Sequence, residues 1–124
     1  MNNIYRNFGD FIHQKREVAQ ITLRGMAEML DLSPAYWSDI EKDRRNPPEM
    51  DKLDQIAKIL DLSEEDKSIM LDLAGKKRNS VAPDLPDYIM ERDYVAAALR
   101  TARDLDAGEA EWMQFVSDLK RRKG

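Results

Sequence analysis

The chain has 124 residues, of which 42% are hydrophobic and 35% are charged. This length is enough for one modest hydrophobic core with an additional segment. The sequence contains no cysteine, which excludes disulfides, zinc–thiolate sites and a catalytic thiol. His13 is its single histidine and cannot form the histidine clusters of most catalytic metal sites. We therefore expect neither a metal nor another cofactor, and we interpret His13 as a solvated or partly packed helix residue.

The net charge of the chain is −4. Proteins that coat nucleic acid without sequence preference depend on an excess of Lys and Arg, so this balance argues against that mode of binding. No stretch approaches the roughly 20 apolar residues that a membrane span needs, and the first residues lack the apolar core of a secretory signal. We therefore expect a cytoplasmic protein in which local patches carry any anion binding.

Apolar residues recur at helical spacing almost throughout the chain, and no run of alternating β-branched residues occurs. This periodicity predicts an all-α fold. Five helices are predicted in the first part: one over residues 7–19, one capped by Thr22, one from Pro34 to about Lys42, one around 53–60, and one from Ser63 to near Gly75.

Residues 76–86 are basic and polar and contain two prolines, a composition typical of an exposed connector. Beyond it, residues 87–124 predict a helical hairpin that is too small to bury both of its apolar stripes alone. These helices must pack on the first five, on a second copy or on another protein. The chain is thus divided into a domain over 1–75, a linker over 76–86 and a C-terminal segment over 87–124. The predicted dimer or partner interface comprises Tyr94, Leu99, Trp112, Phe115, Val116 and Leu119.

The second and third predicted helices are short and are joined by a four-residue turn. Ala27 lies where the two helices would cross, and Ser33 and Pro34 provide an N-cap and a first helical residue. A small residue in the first helix and a polar start to the second are the sequence form of a helix-turn-helix.

Residues 21–48 resemble the helix-turn-helix domains of the Cro and lambda-repressor type, also called xenobiotic-response-element-like. The likeness covers about residues 8–74, and its motifs are Thr22-Leu23, Ala27, Ser33-Pro34-Ala35-Tyr36, Ile40-Glu41 and the basic loop that ends in Pro47-Pro48. The resemblance implies a five-helix, lambda-repressor-like domain whose third helix enters the major groove. It also implies a structural ion pair between Arg16 and Glu41.

The predicted DNA-binding residues surround the start of this third helix. Those able to face base edges are Pro34, Ala35, Tyr36, Ser38 and Asp39. Asp39 can accept a hydrogen bond from cytosine N4, Ala35 can contact a thymine methyl, and Ser33 can reach a phosphate. The predicted phosphate contacts are Arg24, Lys42, Arg44 and Arg45. The alternative for each of these charges is a solvated surface residue, and the prolines that follow Arg44 and Arg45 favour contact most at those two.

Several positions depart from the family pattern. Leu23 replaces a glutamine, and Gly25 weakens its helix by about 1 kcal/mol relative to Ala. Asp31 replaces a glycine in the turn, and Asp tolerates the left-handed conformation that this position requires. Trp37 replaces a leucine, and we expect it in the core. The charges of residues 33–48 sum to zero, which is weak for a monomeric DNA binder. We therefore expect a two-fold dimer that places two recognition helices about 34 Å apart on a pseudo-palindrome.

The resemblance implies a sequence-specific regulator of transcription that binds double-stranded DNA, and we expect a dimeric repressor from a bacterium or a phage. The alternative is a protein-interaction module, such as an antitoxin or adaptor, whose C-terminal stripe binds a protein partner. An enzyme is not expected, because the sequence contains no phosphate-cradling glycine loop, nucleophile constellation or metal-ligand cluster.

Overall fold

The computed structural model describes residues 4–124, so the first three residues of the predicted 1–75 domain lie outside the described part. The described residues form eight α-helices and no strand, which confirms the all-α prediction. The chain divides into two compact units, Met1–Pro86 and Asp87–Gly124. In chain order the helices are α1 (Phe8–Val18), α2 (Leu23–Met29), α3 (Pro34–Glu41), α4 (Met50–Ile59), α5 (Glu64–Lys77), α6 (Pro86–Met90), α7 (Asp93–Asp104) and α8 (Glu109–Lys123).

Side-chain caps fix the starts of four of the first five helices. Asn7, Thr22, Ser33 and Ser63 each accept a hydrogen bond from the backbone N–H three residues further on, at 2.8 to 3.1 Å. Such caps satisfy N–H groups that have no partner within the helix. Asp31, in the turn between α2 and α3, has a φ of 58° and confirms the predicted left-handed conformation.

The core of the first unit is apolar and receives side chains from all five of its helices. Its buried members include Phe8, Phe11, Ile12, Met26, Ala27, Leu30, Trp37, Ile40, Leu53, Ile56 and Met70. Trp37 is completely buried, which confirms that it belongs to the core, although its indole Nε1 has no hydrogen-bond partner among the described residues. Helix α3 is therefore anchored by Trp37 and Ile40, while its other face is left to solvent.

Two glycines allow close backbone contacts that a side chain would prevent. A Cβ at Gly9 of α1 would lie 2.7 Å from the carbonyl oxygen of Ile40, so α1 can approach the end of α3 only because Gly9 has no side chain. A Cβ at Gly75 would lie 2.7 Å from the Val81 carbonyl carbon, and Ala82 is buried. Helix α5 ends at Lys77, beyond the predicted end near Gly75, and part of the segment predicted as an exposed connector packs against it.

The second unit contains α7, α8 and most of α6. Helix α6 is short and was not predicted from the sequence. None of the residues in these three helices is buried. Apolar side chains of α7 and α8 line an open groove of about 480 Å³, and Tyr94, one of the lining residues, is 71% exposed. Among the helices of residues 4–124, none combines the length and the hydropathy that a membrane span requires.

Candidate nucleic-acid interface

The start of α3 and its outer face are open to solvent. Ser33, Ala35 and Tyr36 are exposed, and Pro34, Ser38 and Asp39 are partly exposed. Five of these six residues were predicted to face base edges. The sixth, Ser33, was predicted to contact a phosphate. The opposite face of the helix is fixed in the core, so the exposed side chains project from a rigid element.

Four side chains form a cluster on the outer face of α3 and in the loop that follows it. The Asp39 carboxylate lies 3.7 Å from Nη1 of Arg44 and 3.5 Å from Nε of Arg45. The Arg45 guanidinium carbon lies 4.6 Å from the centre of the Tyr36 ring, within cation–π range. We call Tyr36, Asp39, Arg44 and Arg45 the arginine cluster. It brings together residues that the sequence analysis had assigned separately to bases and to phosphates.

The loop that presents Arg44 and Arg45 is held in place from the end of α5. Lys77 Nζ donates to the carbonyl oxygen of Asp43 at 3.1 Å and pairs with its carboxylate at 3.2 Å. Arg78 donates to the carbonyl oxygen of Pro47 and pairs with Glu49. The stiffness of this loop was expected from its prolines alone. Lys77 and Arg78 were not predicted to contribute, since their partners are more than 25 residues away in the chain.

The end of α3 is attached to α1 by the pair that the resemblance implied. Arg16 Nε donates to Glu41 Oε2 at 2.6 Å and Nη2 donates to Oε1 at 2.9 Å, with both side chains at least nine-tenths buried. The remaining Arg16 nitrogen, Nη1, donates to the carbonyl oxygen of Ile21 at 2.9 Å. Hydrogen bonding to Glu41 raises the pKa of Arg16 against the opposing effect of burial. The pair therefore fixes the end of α3 against α1.

His13 also contacts this pair, a relationship that the sequence analysis did not predict. Its Nδ1 lies 3.2 Å from Glu41 Oε1 and 3.3 Å from Arg16 Nη2, while half of its side chain is exposed. Nδ1 can donate to the carboxylate or accept from the guanidinium, depending on the tautomer of the ring. In either case its partners are the structural ion pair, so it supplements the attachment of α3 to α1.

The two other predicted phosphate contacts are on α2 and at the end of α3. Arg24 is exposed near the start of α2 and Lys42 is exposed at the end of α3, and neither forms an ion pair with any residue in 4–124. The turn between α2 and α3 is held by Lys52 of α4, whose Nζ donates to the carbonyl oxygen of Leu30 at 2.5 Å. Within the described range, no group of three or more His, Cys, Asp or Glu residues could hold a metal ion.

The sequence of the first unit matches a known family. Residues 7–68, half of the chain, match the family described as helix-turn-helix domain, so the chain belongs to that family. Helices α2 and α3, with the turn at Asp31 between them, lie within the matched residues.

Individual proteins resemble the chain over different lengths. An uncharacterized HTH-type transcriptional regulator, present in two strains of Mycobacterium tuberculosis, is 42% identical over 57 residues, or 46% of this chain. The match spans 40% of the length of those relatives. Among solved structures, a chain of a SinR protein/SinI protein complex is 20% identical, with 94% of this chain and 97% of that chain covered and a TM-score of 0.43.

Proposed function

We propose that this protein is a transcriptional regulator of the Cro and lambda-repressor type, which binds specific sequences in double-stranded DNA through α3. The observation that carries the proposal is the contrast between the two faces of α3. Trp37, Ile40 and Glu41 fix one face in the first unit, while the exposed side chains of the other face can enter the major groove. Membership of the helix-turn-helix family supports the same function.

Cations around α3 supply the contacts that orient such a domain on DNA. Lys42 and Arg44 are exposed just after the end of α3, Arg24 is exposed on α2, and Ser33 lies beside the N-terminus of α3, which favours an anion. The Asp39 carboxylate would repel the DNA backbone if it were alone. Its two arginine neighbours offset that charge and leave the arginine cluster with a net positive charge.

Selection of bound duplexes from a random pool at physiological salt tests DNA recognition directly. We expect the protein to enrich one sequence pattern, and failure to enrich any pattern would contradict the proposal. On the enriched duplex, Lys42→Ala should lower the slope of log affinity against log salt by about one, because one phosphate contact is lost. Lys58→Ala, which removes an exposed cation on α4, is the matched control and should leave the slope unchanged.

We further propose that the protein binds DNA as a homodimer formed by its second unit. A unit of this size without a buried residue cannot be stabilised by its own core. Tyr94, Leu99, Trp112, Phe115, Val116 and Leu119 would form the interface. Helix α8 begins with Glu109 and Glu111 and ends with four basic residues, so two antiparallel copies would place opposite charges side by side.

The dimer has consequences for the operator and for regulation. A two-fold dimer would bind two half-sites about 34 Å apart, so the selected pattern should be an inverted repeat. Occupation of such a site within a promoter would exclude polymerase, which is the basis for proposing a repressor. Light scattering at micromolar concentration should give the mass of a dimer, and a monomeric mass would contradict this part of the proposal.

A matched pair of variants tests the interface. Phe115→Asp places a charge in the apolar groove and should yield a monomer that binds an isolated half-site but has much lower affinity for the full repeat. Leu105→Asp places the same charge at a 78% exposed position at the end of α7 and should remain dimeric. Equal effects of the two substitutions would exclude the groove as the interface.

The second candidate function is a protein-interaction module such as an antitoxin or adaptor. It is favoured by the exposed aromatic pair of Trp112 and Phe115, whose ring centres lie 6.3 Å apart. Exposed aromatic residues of this kind are enriched at protein interfaces. A chain that is monomeric in light scattering and enriches no duplex would support this function instead of DNA recognition.

A further inference from the structure

Arg45 has a more restricted environment than a simple phosphate contact requires. Its guanidinium lies against the Tyr36 ring, and its Nε is 3.5 Å from Asp39 Oδ2. Tyr36 and Asp39 are three residues apart in α3 and therefore project from the same face of the helix. Together they hold the guanidinium over the outer face of α3, the face proposed to enter the major groove.

The contact with Asp39 also leaves the outer end of the guanidinium available. Arg45 uses Nε towards Asp39, so the N–H groups of its two terminal nitrogens can still donate. The Asp39 carboxylate is only partly exposed, and its second oxygen lies 3.7 Å from Arg44. An ionised carboxylate has about four acceptor positions, so two long contacts do not saturate it.

This arrangement places donors and an acceptor side by side. Across the major groove a G·C pair presents two acceptors, guanine N7 and O6, followed by one donor, cytosine N4. The O6 and N4 atoms are joined by the base-pair hydrogen bond and are therefore about 2.9 Å apart. Asp39 Oδ2 lies 3.5 Å from Nε of the guanidinium whose terminal nitrogens can still donate, so donors of Arg45 and acceptors of Asp39 are neighbours and can face neighbouring groups of one base pair.

We propose that Arg45 and Asp39 together read a single G·C base pair, with Arg45 donating to guanine O6 and N7 and Asp39 accepting from cytosine N4. Tyr36 acts as a positioning residue that holds the Arg45 guanidinium in place. The inference rests on the proposed DNA-binding function and deepens it, because it names the ligand of one part of α3. It assigns Arg45 to a base and retains Arg44 as a phosphate contact.

The same pair disfavours an A·T pair in this orientation. Adenine would present the N6 amino donor to the guanidinium, and thymine would present the O4 acceptor to the carboxylate. The first contact would bring two donors together, and the second would bring two acceptors together. The Asp39 carboxylate therefore contributes to specificity both by accepting from cytosine and by repelling thymine O4.

The test compares Arg45→Ala with Arg44→Ala on the duplex selected from the random pool, with each position changed in turn to all four base pairs. We expect Arg45→Ala to lose a preference of roughly 5- to 100-fold for G·C at one position in each half-site. Arg44→Ala should weaken binding to all of these duplexes by a similar factor and keep the preference. A uniform loss for Arg45→Ala would overturn the inference and make Arg45 another phosphate contact.

Base analogues identify the atoms at that position. Replacement of the guanine by 7-deazaguanine removes the N7 acceptor and should weaken binding of the unmodified protein several-fold, but not that of Arg45→Ala. Inosine retains N7 and O6 and lacks only the minor-groove amino group, so it should bind as guanine does. Loss of affinity with inosine and none with 7-deazaguanine would also overturn the inference.

Variants of the supporting residues distinguish reading from positioning. Asp39→Asn removes the charge and should reduce the preference for G·C. Tyr36→Phe retains an aromatic face for Arg45 and should leave the preference for G·C unchanged. Tyr36→Leu removes that face and should reduce the preference as well. If the unmodified protein selects no duplex, the proposed function fails; if it selects one and Arg45→Ala keeps every preference, only this inference fails.

Discussion

Arg16 and Glu41 form a two-point ion pair between α1 and the last turn of α3, with N–O distances of 2.6 and 2.9 Å. The same guanidinium also donates to the carbonyl oxygen of Ile21, just before α2 begins. One side chain thus connects α1, the end of α3 and the loop residue that precedes the N-cap of α2. Because desolvation offsets much of the attraction in a buried pair, its main effect is to fix the position of α3.

Arg16→Met should lower the free energy of unfolding by about 3–5 kcal/mol, because it leaves the Glu41 charge buried without its main partner. The measurement is urea denaturation followed by circular dichroism. Arg24→Met is the matched control, since it removes an exposed arginine from α2 and should change stability by less than about 0.5 kcal/mol. A similar small loss for both variants would mean that the pair is not buried in solution.

The double variant Arg16→Met, Glu41→Leu separates stability from positioning. Replacement of both charges by apolar side chains of similar volume should recover most of the stability lost in Arg16→Met. DNA affinity should recover less than stability, because the hydrogen bonds that orient the end of α3 are absent. Equal recovery of both quantities would show that the pair has no positioning role.

The first turn of α1 predicts a pH dependence of stability. The Asp10 carboxylate accepts hydrogen bonds from the backbone N–H of Arg6 at 3.0 Å and from Gln14 at 3.1 Å. The bond from Arg6, assisted by that from Gln14, lowers the pKa of Asp10 from its ordinary value of 3.8 against the effect of burial. A lowered pKa in the folded state means that the stabilisation is present above pH 3.8 and is lost as the pH falls through the folded-state pKa.

Asp10→Asn should therefore lower the free energy of unfolding at pH 7 by about 0.3–1 kcal/mol, the range for a charge near a helix N-terminus, and by less at pH 3. Urea denaturation at the two pH values measures the difference. The control is Asp72→Asn, an exposed position on α5 for which residues 4–124 provide no hydrogen bond or ion pair. An Asp10→Asn effect that is equal at both pH values would contradict the prediction.

The features that could be predicted from the sequence depend on neighbours in the chain. Thr22, Ser33 and Ser63 cap helices through N–H groups three residues away, and the helical spacing of apolar residues follows from the same local geometry. For this reason the first five helices were predicted with bounds within about three residues. Helix α6 was missed because its five residues are too few for a period to be visible.

The features that could not be predicted depend on tertiary contacts. Lys77 reaches Asp43 across 34 residues of sequence, and no local pattern distinguishes it from a solvated lysine. The approach of Arg45 to Tyr36 and Asp39 depends on the path of the intervening loop. The Arg16 and Glu41 pair was found in advance only through the family resemblance, since the two residues are 25 positions apart.

Gly9 is a further residue whose role is visible only in the fold. Gly9→Ala would raise the helix propensity of α1 by about 1 kcal/mol, but its Cβ would lie 2.7 Å from the Ile40 carbonyl oxygen. We expect the steric effect to dominate and the variant to be destabilised by roughly 1–3 kcal/mol in thermal or urea denaturation. Gly108→Ala, where the nearest atom lies at 3.4 Å, is the control and should have a smaller effect.

Two serines in equivalent caps separate a structural effect from a DNA-binding effect. Ser33 Oγ accepts from the Tyr36 N–H at 3.1 Å, and Ser63 Oγ accepts from the Asp66 N–H at 3.0 Å. Ser33→Ala and Ser63→Ala should each lower the free energy of unfolding by about 1 kcal/mol, because each leaves the start of one helix without its cap.

Only Ser33→Ala should also lower DNA affinity, because Ser33 lies at the start of the proposed recognition helix, where its hydroxyl can contact a phosphate. The loss should be of similar size for the selected duplex and for unrelated duplexes, since a phosphate contact carries no sequence information. Fluorescence anisotropy at constant salt measures both affinities. A Ser63→Ala loss as large as that of Ser33→Ala would attribute the effect to general destabilisation and would remove Ser33 from the interface.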